Sequence, residues 1–146
     1  MSDAQKNAIL NDLLIQVHRS LLQYTEECWP WTDLDQAAEH RAIQELAHQQ
    51  RELVGRLARL LDQRQQTVDF GTYPDWSGLH YVSLDFLLAR LIDDERQLIA
   101  AIERGRSAFE NDPPAATLAV ELLASQRNTL KRLEELAAAR KATVAA

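Results

Sequence analysis

Four stretches of this sequence return apolar residues every three or four positions. A chain patterned that way buries them by forming helices that pack along their lengths. The stretches cover about residues 3–28, 33–65, 77–109 and 113–140. Each boundary has a chemical cause. Pro30, in Trp29-Pro30-Trp31, pushes the residue before it out of the α region and stops the first stretch. Thr32, with Asp35 three positions on, resembles a capping box that opens the second. The irregular run from Gln65 to Leu79 contains Gly71, Pro74 and Gly78 and separates the second from the third. Asp112 before Pro113-Pro114 is an N-cap acceptor followed by a proline at the first helical position, where its missing amide costs nothing. Composition agrees: hydrophobic residues make up 46% of the 146, while glycine and the β-branched residues a sheet needs are scarce.

These features predict one all-α domain, an antiparallel four-helix bundle. At 1.5 Å per residue the second helix is about 50 Å long, and a linker of about 15 extended residues just spans that length. The linker is long for a simple hairpin, so the expectation is a crossover between the second and third helices; the alternative is a plain hairpin with a decorated loop. A single cysteine excludes an intrachain disulfide framework and any multi-cysteine metal site, which points to a reducing, cytoplasmic setting. No apolar run approaches the roughly 18 residues of a membrane span, and the polar start reads as neither signal nor transit peptide. A net charge of −6 argues against bulk attraction to nucleic acid.

The helical faces carry more detail. Leu10, Leu14, Val17, Leu21, Tyr24 and Cys28 form one seam, in which Cys28 is expected to be a packed, inert thiol. Ile15, Leu22 and Trp29 form a second flank on the same helix, and Val82, Phe86 and Ala89 add an apolar face to the third. Two buried flanks suggest a homodimer, or else the linker folds over them. The other three seams each hold one long polar residue where an apolar one belongs: Gln50, Glu95 and Gln126. Each lies near its helix midpoint, so in an antiparallel bundle they meet as a buried polar layer, with Gln16, His18 or Tyr24 as candidate fourth members. A buried carboxylate needs a partner, a proton or a metal. Glu95 is therefore part of a hydrogen-bonded layer that fixes register, part of a metal or small-ligand site, or at the seam's edge in water beside Asp93 and Asp94.

The string Glu45-Leu46-Ala47-His48, together with the long middle linker, resembles the ferritin-like superfamily. Arg19 to Tyr24 leading into Cys28-Trp29-Pro30-Trp31, and Thr72-Tyr73-Pro74-Asp75, are similar to bacterial ferritin-like proteins. The resemblance implies a crossover bundle and a mid-bundle di-iron site, built from a Glu on each of two helices and a Glu-x-x-His on each of the other two. By helical geometry, though, Glu45 and His48 point away from the Leu46, Leu53 and Leu57 seam, where surface pairs of Glu45 with Arg41 and Glu52 with Arg56 are expected. A second Glu-x-x-His is missing, since Ala124 follows Glu121 and Thr129 follows Gln126 at that spacing. The candidate metal ligands are thus Glu95, Glu45 and His48, with iron as the metal, against the expectation of no cofactor.

Trp29, Trp31, Tyr73 and Trp76 lie in or near loops with acidic neighbours. They form either a plug on the bundle or, with Ile15 and Leu22, a surface for a partner protein. The expected role is a non-catalytic, oligomeric structural or interaction module. The alternative is a metal-binding ferritin-like protein with a non-standard site around Glu95.

Overall fold

In the computed structural model, which describes residues 1–28 and 36–145, three of the α-helices start behind a residue whose side chain accepts from a free amide of the first turn. Five α-helices, two short 3₁₀ turns and no strand are found among the described residues. Helix α1 spans Asp3–His18 and begins at Ser2, whose hydroxyl accepts from the Gln5 amide while Gln5 Oε1 accepts from the Ser2 amide, a reciprocal capping box. Helix α2, Leu21–Glu27, and helix α3, Ala37–Gln63, follow. Ser83 caps α4, Leu84–Gly105, by accepting from the Phe86 amide. Helix α5, Pro113–Ala145, starts behind Asp112, whose carboxylate accepts from the Ala115 amide. Trp29, Trp31 and the Thr32–Asp35 capping box lie outside the described residues.

The first and third stretches differ from the sequence reading, and α5 runs on to Ala145 where an end near 140 is expected. The first helix is not continuous from 3 to 28. At Ser20 the backbone is extended (φ −70°, ψ 161°), as it is at the cap Ser2, and the chain restarts as α2. The helical hydrogen bonds lost there are replaced by partners from elsewhere in the fold. Ser20 Oγ donates to Gln50 Oε1 at 3.1 Å, the freed Leu21 amide donates to Asp94 Oδ2 at 3.1 Å, and Arg19 Nε donates to the carbonyls of Phe70 and Gly71. The third helix is also shorter than 77–109. A 3₁₀ turn at Ser77–Leu79 stands apart from it, fixed by the Asp75 carboxylate, and Arg106–Phe109 tightens into 3₁₀ so that Phe109 enters the core with no exposed surface.

Three ion pairs fix the directions of the helices. Arg140, near the end of α5, pairs with Glu39 at the start of α3 and Asp85 at the start of α4. At the opposite end Arg64, just past α3, bonds Asp112 before α5 and Asn7 of α1. Helices α3 and α4 therefore run the same way, and α5 runs against both. Residues 64–83 travel back along α1. Asn11 holds Asp69 through both its carbonyl and its amide, His18 meets the Phe70 ring edge-on at 5.5 Å, and Val68 packs on the core.

This strap decides the second apolar flank. Gly71, at φ +67°, lies so close to Ile15 that a Cβ there would stand 2.6 Å from Ile15 Cγ2. Ile15 is half-buried beneath it, and Leu22 is fully packed in the core. The break also rotates the seam of the first segment. Cys28 is exposed at the end of α2 instead of packed in the core.

Candidate functional site: a polar layer between two apolar cores

The apolar interior forms two clusters, and each long helix carries its polar seam residue between them. Gln50 lies between Ala47 and Val54, Glu95 between Leu91 and Leu98, and Gln126 between Leu123 and Leu133. All three are at most 1% exposed. Gln50 Nε2 donates to Glu95 Oε1 at 3.2 Å and to Gln126 Oε1 at 2.8 Å. Gln50 Oε1 accepts from Ser20 Oγ and, at 2.8 Å, from Gln23 Nε2.

Ser20 and Gln23 are thus the members that the first segment contributes, in place of Gln16, His18 or Tyr24. An unbroken helix would turn Gln23 off the seam; the break at Ser20 re-phases α2 and buries Leu21, Leu22, Gln23 and Thr25 together. The sequence signal was a serine next to an arginine inside an apolar repeat, which is too common to mark a break. Gln16 instead bonds Asp12 on its own helix, and Tyr24 packs against Tyr73, Trp76 and His80. From Gln23 the network leads outward. Gln23 Nε2 also donates to the Ala47 carbonyl at 2.7 Å, and Arg51 reaches both Gln23 Oε1 and, at 2.6 Å, Glu26.

Burial and the neighbouring Asp94 charge push the Glu95 carboxyl up to about 8, with the Gln50 hydrogen bond acting the other way. Asp94 is itself raised, chiefly by burial, while the Leu21 amide opposes that shift.

The other candidate ligands do not join this layer. Glu45 is exposed on the outer face of α3. His48 is exposed too and lies 3.7 Å from Glu26 of α2. Arg56 pairs with Glu121 of α5 in place of Glu52, because the ridge of α3 that carries it faces α5. Among the described residues no group of three or more His, Cys, Asp or Glu is placed to hold a metal ion.

Tyr73 and Trp76 are half-buried against Tyr24, Arg19 lies over the Tyr73 ring at 4.6 Å, and Tyr24 Oη meets His80 Nε2 at 2.5 Å. Burial, with the Glu27 carboxylate nearby, pushes the Tyr73 hydroxyl up to about 12. Among the described residues the exposed aromatic side chains are Phe70, Tyr81 and Phe86, at 44%, 94% and 49%, with exposed Ala89 three residues beyond Phe86. No helix among the described residues is long and apolar enough to cross a membrane. Comparison with protein-family models, with curated proteins and with solved structures returned no match to this chain.

Proposed function

We propose that the chain is a four-helix bundle of ferritin-like topology, in which α1 and α2 act as one broken helix and residues 64–83 form the crossover. In this reading it is a non-catalytic structural or protein-interaction module. The observation that carries the proposal is the use of Glu95. Its hydrogen-bonding neighbours are the amides Gln50 and Gln126, at the mid-bundle level where a di-metal centre needs carboxylates and imidazoles. Such a layer favours one axial alignment of the helices, because sliding any of them leaves a buried polar group unpaired. The parallel course of α3 and α4 supports the crossover. A self-association or partner surface would run through Tyr81, Phe86 and Ala89, the apolar face that the strap leaves open.

Elemental analysis of untagged protein and of Glu95→Ala tests the non-metal reading. Iron, manganese, copper or zinc near one equivalent per chain, lost in the variant, would establish the metal-binding alternative instead. Light scattering at high micromolar concentration tests self-association. A dimer that dissociates in Phe86→Asp supports the module, and a monomer under those conditions sinks its homodimeric form.

A further inference from the structure

We infer that Glu95 is a neutral carboxylic acid in the folded chain, donating its proton to Gln126, and that loss of this proton releases α2 from α3. The argument is a chain of fixed donor and acceptor roles. The Ala47 carbonyl can only accept and the Arg51 guanidinium can only donate, so the Gln23 atom facing Ala47 is nitrogen and the atom facing Arg51 is oxygen. The Gln50 atom facing the Gln23 nitrogen is therefore oxygen, and the other end of Gln50 is nitrogen. That nitrogen lies 2.8 Å from Gln126, whose facing atom must be oxygen. The same Gln126 oxygen lies 3.0 Å from Glu95 Oε2 and 3.3 Å from Oε1. Two acceptors at 3.0 Å are reconciled if Glu95 carries a hydrogen. Turning the Gln126 amide would let its nitrogen donate to the carboxylate, but would set it 2.8 Å from the Gln50 nitrogen, donor against donor.

An ionised Glu95 passes this conflict along the layer. If Gln126 turns, Gln50 must turn, and its nitrogen then faces the Gln23 nitrogen. If Gln23 turns as well, its oxygen faces the Ala47 carbonyl. Every arrangement keeps at least one repulsive contact, since a turned Gln50 also sets its oxygen 3.2 Å from Glu95 Oε1, and the strain is shared by the whole layer, of which α2 is the least anchored member. That helix has only seven residues, too few to hold itself, and Gln23, Ser20 and the Leu21 amide tie it to α3 and α4. The charged surroundings give little relief. On α4, Asp94 repels a second charge and Arg90 acts on Asp94. On α3, Arg51 is already paired with Glu26 of α2, to which His48 also turns. Helix α5 brings the neutral Gln126 and Thr129, and the break after α1 brings Ser20.

Hydrogen exchange, corrected for intrinsic rate, tests the release. Between about pH 6 and about pH 9.5 the protection of residues 21–28 should fall about tenfold or more in the wild-type chain and hold in Glu95→Gln, whose amide can still donate to Gln126. Residues 115–123 of α5 should keep their protection in both. Unchanged protection of 21–28 in the wild type, an equal fall in the variant, or an equal fall across α5 overturns the release. The proton is tested without any variant, by carbon-13 NMR of the glutamate carboxyl groups. One glutamate should remain protonated at neutral pH, and a chain in which all are ionised there overturns the inference whether or not Glu95→Gln folds.

Discussion

The two halves of the interior are held by different physics. Around Phe109 the packing of Leu10, Leu14, Leu57, Leu61, Ile102 and Leu122 is apolar, and the polar contacts of Arg64 lie at its rim. Around α2 the packing of Leu21, Leu22, Ile43, Leu87 and Leu88 is equally tight, but that helix is also tied by directional bonds to Gln50, Ala47 and Asp94. Apolar contact tolerates small shifts, whereas hydrogen bonds specify one alignment and fail together when a partner changes charge. The Phe109 half therefore supplies bulk stability, and the α2 half supplies specificity and sensitivity to pH.

Substitutions can break this contrast. Phe109→Ala should cost the most, about 3–5 kcal/mol in denaturant unfolding at any pH, because it empties a fully buried site at the junction of α4 and α5. If the loss instead depends strongly on pH, the two halves are not separable.

The second effect, of order a few kcal/mol, belongs to Glu95 and should build up between about pH 4.5 and about pH 8. Its folded carboxyl is raised to about 8 from an ordinary 4.5, so the folded state holds a proton that the unfolded chain releases. The stability associated with this proton is fully present below about 4.5 and is lost as pH rises through about 8. Glu95→Gln and Glu95→Leu should therefore gain on the wild type between those limits, and a wild-type stability that is flat across the window contradicts this account.

The strap sharpens the comparison further. Gly71→Ala should cost roughly 1–3 kcal/mol, since it adds a clash with Ile15 to a left-handed backbone. Pairing it with Ile15→Ala should recover the steric part only, which a double-mutant cycle can measure. Arg64→Ala should cost about 1–2 kcal/mol at neutral pH and less in acid. Asp112 is held below the usual carboxylate range, chiefly by its Arg64 hydrogen bond, so its contribution is present above its unfolded value and lost as pH falls. Arg127→Ala removes an exposed pair with Glu103 and should change stability by less than about 0.5 kcal/mol. A larger loss would mean that this surface is covered in solution.

Much of the helical pattern was legible because periodicity and capping are local. Asp112 sits where its side chain accepts from the first turn of α5, and Leu10, Leu57, Leu91 and Leu122 occupy seam positions that become core. The polar interruptions at Gln50, Glu95 and Gln126 were visible for the same reason, as departures from a repeat. Ser20 and Gln23 were not, since the break that brings them inward is stabilised by Asp94, Gln50 and the strap carbonyls, all more than 25 residues away in the chain. For Tyr73 and Trp76 the sequence likewise left a plug and a surface both open, because their packing against Tyr24 is a long-range contact.

The sequence by itself determined that this chain is helical, where the first and last of its helices begin, and that an acid and two amides interrupt otherwise apolar seams. Backbone hydrogen bonding and side-chain periodicity act over a few residues, so neighbours suffice to set them. Only the tertiary structure decided that the first segment breaks, that the linker covers Ile15, and that Glu95 faces an oxygen of Gln126. Those outcomes depend on which donors and acceptors long-range packing brings within 3 Å or so, and no local pattern encodes the polarity of a hydrogen-bonded chain that begins at Ala47 and ends at Glu95.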